Sequence, residues 1–131
     1  MASPKLTPTP AIIGVIGIRD FKGKIYSNRS YIGECVSRYA KARNFSHYSL
    51  VTGGGKGVEE ELIKWASEND ISIRTISPNS QTPEGFAHRN NMIVAQSEML
   101  LMFWDGYVMN LVQPIANAVS HGRECHVFPV R

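Results

Sequence analysis

The sequence predicts an α/β fold, a single doubly wound domain whose mainly parallel five-stranded sheet has helices on both faces. Short apolar runs alternate strictly with segments in which apolar residues recur every three or four positions. Runs such as Ala11–Gly17 are almost wholly apolar and rich in Ile, as strands buried on both faces are. Strands that alternate with helices in this way form parallel sheets with right-handed crossovers. The 131 residues suffice for one such domain.

The first half of the chain contains two strand–helix units. Ala11–Gly17 is the first predicted strand and Tyr48–Thr52 is the second. Apolar residues at helical spacing predict a first helix that ends near Asn44, and they are Ile32, Val36, Tyr39 and Ala40. A second helix closes at Asn69–Asp70, and its inner face consists of Val58, Leu62, Trp65 and Ala66.

The next unit begins with a strand of a different kind. Ile71–Ser77 alternates apolar with polar residues, which predicts a half-exposed or edge strand. Thr82 suits the N-cap of a third helix and Pro83 its first position, although the helix is predicted over Phe86–Gln96. Glu98–Trp104 is a further buried strand.

The last unit is a helix followed by a strand. The helix is predicted over Asn110–His121, where Pro114 is tolerated only in the first turn. Gly122 suits the position just after the helix, and Cys125–Val130 is the fifth strand.

The composition is that of an ordinary globular domain, with 43% hydrophobic and 19% charged residues. The net charge of +3 is compatible with an anionic ligand, but without a block of like charges it is weak evidence for nucleic acid. No apolar run approaches the roughly 20 residues that cross a bilayer, so we expect no membrane partner and a cytoplasmic location. Residues 1–10 contain three prolines and predict a disordered lead-in to a domain at residues 11–131.

The cysteines and histidines indicate no metal site. Cys35 and Cys125 lie far apart, form no disulfide framework and are predicted to be buried thiols. Three of the four histidines have no metal-ligand spacing and are expected to be structural or exposed; they are His47, His121 and His126. Neither a metal nor a cofactor is predicted.

A glycine-rich turn between the second strand and the second helix is the strongest functional signal. Four of its five residues are glycines, namely Gly53, Gly54, Gly55 and Gly57. Glycines permit positive φ and close approach of a ligand to the backbone, and a helix N-terminus presents N–H groups to an anion. One tight turn needs fewer glycines, so contact with a phosphate-bearing ligand is the favoured interpretation of this glycine loop (residues 53–57).

The glycine loop is neither of two well-known phosphate motifs. Gly57 stands where a P-loop has Ser or Thr after the lysine, and the G-x-G-x-x-G dinucleotide pattern is incomplete. Lys56 either contacts the ligand or is solvated. Glu59 is either an acceptor for a sugar hydroxyl or a charge that stabilises the start of the helix.

Three predicted loops, and the start of the third helix, lie at the edge where parallel strands end and ligands bind. Arg19 follows the first strand and can hold a phosphate or lie on the surface. The cluster at the third helix is either a phosphate site or a solvated helix end, and it consists of His88, Arg89, Asn90 and Asn91. Asp105 and Gly106 form a turn or a polar site.

Two aromatic residues flank Asp105. Trp104 and Tyr107 can stack on a nucleotide base or cover the edge of the core. The residue types leave both interpretations open.

Taken together, four segments resemble motifs of the SLOG superfamily, a nucleotide-binding Rossmann-like group that includes DprA, the LOG phosphoribohydrolases and small YspA-like proteins. The segments are Gly17–Phe21, Thr52–Glu59, Gly85–Met92 and Phe103–Gly106. The resemblance runs from about Ile12 to Val130 and is nearest to the YspA-like branch. It implies a nucleotide or nucleotide-derived ligand and a homo-oligomer, because the family commonly pairs helices across a dimer interface.

The resemblance also assigns roles to residues. It implies that Gly17 and Arg19 line the first loop, that Gly53 to Gly57 hold phosphate, and that Arg89 matches the arginine that LOG enzymes use at the N-glycosidic bond. The chain departs from the LOG pattern after the fourth strand. Asn110 and Leu111 replace a Gly-Thr pair, and Pro114 occupies the position of the LOG glutamate, which a dissociative glycosidic cleavage needs.

We therefore expect binding, sensing or sequestration of a nucleotide or nucleotide-derived ligand, with no catalytic residue. The first alternative is phosphoribohydrolase-type cleavage of a nucleoside monophosphate, with Arg89 and either Asp105 or Glu59 in catalytic roles. The second is DprA-like binding of single-stranded nucleic acid, which the modest charge disfavours. The predicted ligand-binding residues are Gly17, Arg19, Gly53, Gly54, Gly55, Lys56, Gly57, Glu59, Arg89, Asn90, Asp105, Gly106 and Tyr107.

Overall fold

The structure, a computed structural model, describes residues 10–19, 29–106 and 111–130. Strands and helices alternate strictly through these residues: β1 (Ala11–Gly17), α1 (Arg29–Ala42), β2 (Tyr48–Thr52), α2 (Val58–Glu68), β3 (Ile73–Thr75), α3 (Pro83–Gln96), β4 (Met99–Trp104), α4 (Val112–Ser120) and β5 (Glu124–Pro129). The five strands form one sheet in the order β3-β2-β1-β4-β5, and every pairing is parallel. The predicted α/β fold with a doubly wound sheet is confirmed.

The helices pair on the sheet as α1 with α2 and α3 with α4. Between them the central strands are buried almost completely, since β1 and β4 each contain only one residue that is not buried. Ile13, Leu101 and Phe103 are inaccessible to solvent. The near-continuous apolar runs of these two strands are explained by this burial on both faces.

The predicted edge strand is confirmed, but it is shorter than predicted. Strand β3 contains only Ile73–Thr75 and pairs with β2 alone. The predicted range was Ile71–Ser77. Backbone bonds to β2 nevertheless extend beyond the strand on both sides, because the Ser72 carbonyl accepts from Leu50 N–H and Ile76 N–H donates to the Thr52 carbonyl.

The third helix begins earlier than predicted. Helix α3 starts at Pro83 and not at Phe86, because Thr82 caps it and its Oγ1 accepts from Gly85 N–H at 3.1 Å. The capping signal was therefore the better guide to the start of this helix than the apolar spacing. Proline fits the first helical position because it has no N–H to leave unpaired there.

The other helix ends agree closely with the sequence. Asn44 and Asp70 adopt positive φ just after α1 and α2, respectively. In α4, Pro114 lies in the first turn, and Gly122 follows the C-cap with φ of +67°. The helix ends at Ser120, one residue before the predicted end, and the predicted start at Asn110 lies outside the described residues.

The described part of the chain contains no helix that is both long enough and apolar enough to span a membrane. Cys35 is buried as predicted, whereas Cys125 is only half-buried, and both are free thiols. Burial raises the pKa of each thiol, so neither is an activated thiolate. Among the described residues, no group of His, Cys, Asp and Glu has the arrangement of a metal site.

Candidate functional site

The candidate site lies at the edge of the sheet where the parallel strands end. Strand β1 lies between β2 and β4, so the strand order reverses at β1 and β4. Val15 is in register with Thr52, and Gly17 is in register with Phe103, which brings the ends of the three strands together. In doubly wound sheets this switch point is where ligands bind.

The glycine loop packs directly against the loop that follows β1. Gly57 has φ of +84° and ψ of −127°, a conformation that favours glycine. A Cβ on Gly57 would collide with the carbonyl oxygen of Arg19 and lie 2.7 Å from that of Ile18. The backbone N–H of Val58 also donates to the Ile18 carbonyl, at 3.3 Å. At Gly57, the glycine therefore permits both the turn and the close contact.

A buried carboxylate holds these two loops together. Glu59 is only 3% exposed, and its Oε1 accepts from Gly55 N–H at 2.8 Å. Its Oε2 accepts a longer bond, 3.4 Å, from Gly17 N–H. Burial raises the pKa of this carboxyl, and the Gly55 amide and the nearby Arg89 guanidinium offset part of that effect. The side chain thus joins the end of β1 to the glycine loop rather than only supplying charge at the start of α2.

A buried arginine supports the glycine loop from α3. Arg89 is 7% exposed; its Nη1 donates to the Gly53 carbonyl at 3.1 Å, and its Nε donates to Asn90 Oδ1 at 2.9 Å. A Cβ on Gly53 would lie 2.5 Å from the Arg89 Cζ and 2.9 Å from Glu59 Oε1. The guanidinium and the carboxylate therefore both lie against this glycine. Any larger residue at position 53 would displace these two side chains. Arg89 and Asn90 are part of a packed site and not a solvated helix end.

Arg19 extends the site toward solvent. It is exposed, and its guanidinium carbon lies 5.6 Å from the centre of the Phe86 ring. The Arg89 guanidinium carbon lies 5.5 Å from the same ring. A Cβ on Gly55 would be 3.9 Å from Arg19 Nε, so this charge lies beside the glycine loop. The ring and the loop therefore position the Arg19 guanidinium.

A cleft of about 620 Å³ opens next to Arg19. Its lining includes Arg19, Gln81, Glu84, Phe86, Asn90 and Gln113. The volume lies within the range of small-molecule sites. Arg19 thus lies beside the glycine loop and also lines the cleft.

The remaining predicted site residues are placed as follows. Lys56 and Gly106 are exposed, and Asp105 is half-buried just after β4. Tyr107 lies outside the described residues. Trp104 is half-buried and packs against the hydrophobic core.

The rest of the cluster at the third helix is more peripheral. His88 is exposed, and Asn91 is half-buried and accepts from Asn117 Nδ2 at 2.9 Å through its side-chain oxygen. Asn91 therefore joins α3 to α4, and Arg89 and Asn90 are the members of the cluster that reach the site.

Six lining residues of the cleft were missed by the sequence reasoning as ligand contacts, and they are Gln81, Pro83, Glu84, Phe86, Ala87 and Gln113. A usable signal existed, because helices that follow parallel strands begin at the edge where those strands end. Residues just before α3 and in the first turns of α3 and α4 must therefore lie at this edge.

The two carboxylates that the sequence suggested for glycosidic chemistry, Glu59 and Asp105, have different surroundings. Glu59 is buried and its two oxygens bond to backbone amides. Pro114, at the position of the LOG glutamate, is buried in the first turn of α4 and has no acid or base group. Asp105 is the other carboxylate that the sequence suggested, and it is half-buried.

Comparison with models of known protein families finds no match to this chain, and comparison with curated protein sequences finds none either.

Proposed function

We propose that this protein is a SLOG-like domain that binds a nucleotide or nucleotide-derived ligand and acts by binding, sensing or sequestering it. The observation that carries the proposal is the position of Arg19, which lies beside the glycine loop and also lines the cleft. A ligand with a phosphate at the loop can therefore extend its remaining part into the cleft.

The phosphate end of the ligand is assigned to the glycine loop and Arg19. The loop precedes α2, whose N-terminus carries the positive end of the helix dipole. Arg19 adds a guanidinium, which forms paired hydrogen bonds with phosphate oxygens. The Gly55 N–H already donates to the buried Glu59 carboxylate, so the phosphate is expected at the other backbone amides of the glycine loop.

Glu59 and Arg89 hold the backbone of this site in place and do not contact the ligand. Together they bond to the backbone of Gly17, Gly53 and Gly55, which fixes the loops before a ligand arrives. A preformed site loses less entropy on binding. Because Glu59 is directed inward, we assign it no contact with substrate.

Thermal-shift measurements with nucleoside monophosphates, diphosphates and cyclic nucleotides test the proposal. A ligand of the native state at 100 times its Kd adds about 2.7 kcal/mol to apparent stability. We expect at least one nucleotide to raise the Tm of the wild type and to lose most of this effect in Arg19→Ala. Arg38→Ala is the matched control, because Arg38 is an exposed arginine of α1 that pairs with Glu34.

The same samples separate the alternatives. Release of free base from a nucleoside monophosphate by the wild type, and its loss in Arg89→Lys, would replace binding with glycosidic cleavage as the function. Salt-dependent binding of labelled single-stranded DNA, with no response to any nucleotide, would favour the nucleic-acid alternative. Absence of a thermal shift with every nucleotide would refute the proposal.

A further inference from the structure

The cleft beside Arg19 differs in chemistry from the glycine loop. Its lining has one guanidinium, that of Arg19, and one carboxylate, that of Glu84, so their formal charges cancel. The adjoining loop offers backbone amides and the N-terminus of a helix whose first turn also carries Glu59, Glu60 and Glu61. A phosphate in the cleft would face the Glu84 carboxylate.

The cleft also brings three carboxamides together with an aromatic ring. Gln81, Asn90 and Gln113 come from three separate parts of the chain and line the same space, with Phe86 among them. Each carboxamide can both donate and accept hydrogen bonds. The Asn90 oxygen accepts from Arg89 Nε, so Asn90 offers a ligand chiefly its N–H donors.

We propose that this cleft is a nucleobase subsite: Gln81, Gln113 and Asn90 bond to the polar edge of a heteroaromatic base, while the Phe86 ring contacts an apolar face of the base. The inference rests on the proposed nucleotide function and adds which part of the ligand determines specificity. A base combines aromatic faces with an edge of mixed donors and acceptors, which is the chemistry that amides and aromatic or guanidinium planes recognise. The selected ligand is therefore one with a phosphate and a base, and not a sugar phosphate.

The test compares ligands with and without a base. Isothermal titration calorimetry with the four common nucleoside 5′-monophosphates and with ribose 5-phosphate measures what the base adds. We expect the best nucleotide to bind at least about tenfold more tightly than ribose 5-phosphate. Gln81→Ala and Gln113→Ala should each weaken that nucleotide by roughly three- to tenfold, the effect of one lost hydrogen bond, and leave ribose 5-phosphate unchanged.

The variants are suitable because Gln81 and Gln113 are exposed, so the core stays intact. Val119→Ala is the matched control for Gln113→Ala, since it changes an exposed residue of α4 that does not line the cleft. Equal affinities for the nucleotide and ribose 5-phosphate, or nucleotide affinities that both glutamine variants leave unchanged, would overturn the base subsite while nucleotide binding stands. Absence of binding by all four nucleotides, together with no thermal shift from any diphosphate or cyclic nucleotide, would overturn the proposed function and this inference together.

Discussion

The packing of Gly57 against the loop after β1 predicts a large effect of Gly57→Ala. The residue has positive φ, and a Cβ there would collide with the Arg19 carbonyl oxygen and lie 2.7 Å from the Ile18 carbonyl oxygen. Both obstacles are backbone atoms, so a rotamer change cannot relieve the contact. The substitution must move the glycine loop away from Ile18 and Arg19, which also moves the Arg19 side chain from its place in the site.

The magnitude follows from two contributions. The backbone of Gly57, with φ of +84° and ψ of −127°, lies in a region that residues with a Cβ rarely adopt, which costs about 1–3 kcal/mol. Overpacking against a neighbour that cannot yield adds about 1–3 kcal/mol. We therefore expect Gly57→Ala to lower the free energy of unfolding by about 3 kcal/mol, which for a domain of this size lowers Tm by roughly 10 °C.

Gly122→Ala is the matched control. Gly122 also has positive φ, +67°, but a Cβ there would meet no atom of the described residues within 4 Å. Its cost should therefore be the backbone strain alone, about 1 kcal/mol. Urea titration of both variants measures the difference, which we expect to be about 2 kcal/mol. Equal losses of stability in the two variants would refute the close packing of the two loops.

Three further predictions concern single side chains. Because burial raises the pKa of Glu59, the stability this group contributes is fully present below its unfolded pKa of about 4.5 and is lost as pH rises through the higher folded pKa. Urea titrations should therefore show a larger loss of stability with rising pH in the wild type than in Glu59→Gln, and equal slopes would contradict the assignment. Arg89→Ala should destabilise by about 3 kcal/mol in the same assay, because the Gly53 carbonyl loses its donor and Glu59 loses a neighbouring charge, and a loss below about 1 kcal/mol would contradict a buried supporting role. Thr82→Ala should cost about 1 kcal/mol by leaving Gly85 N–H without its acceptor, whereas Thr82→Ser should be nearly neutral, and equal Tm values for the two variants would argue against the cap.

Much of the fold could be predicted because its signals are local. The apolar run of β1 and the helical spacing of α2 each reflect burial of a single element, and both agree with the structure. The alternation in Ile71–Ser77 correctly indicated an edge strand. Its length could not be predicted, because strand ends depend on the pairing with β2 and not on the residues alone.

The bonds that Glu59 makes could not be predicted from the sequence, although its burial left a local signal. A glutamate in the first turn of a helix is usually an exposed charge, but Glu59 lies three and seven positions before Leu62 and Ala66, which places it on the inner face of α2, unlike Glu60. Glu59 is buried where the end of β1 meets the glycine loop, and its bond to Gly17 joins residues 42 positions apart. Glu60, next to it in sequence, is exposed.

The cleft was missed for a related reason. Gln81 lies just before α3 and Gln113 lies in α4, and only the strand order places them both beside Arg19. The predicted topology could have indicated this, since it puts the starts of α3 and α4 at the same edge as the glycine loop. Spacing along the chain carried no such information.

The most direct test of the central claim is a titration of the ¹⁵N-labelled protein with the best nucleoside monophosphate from the calorimetric panel, followed by amide chemical shifts. We expect the largest shifts at the amides of residues 53–57 and at Arg19, with smaller shifts at Asn90 and Gln113. Inorganic phosphate should shift the first group and leave the second unchanged. Nucleotide shifts confined to other parts of the protein, or no shifts at saturating nucleotide, would contradict the account.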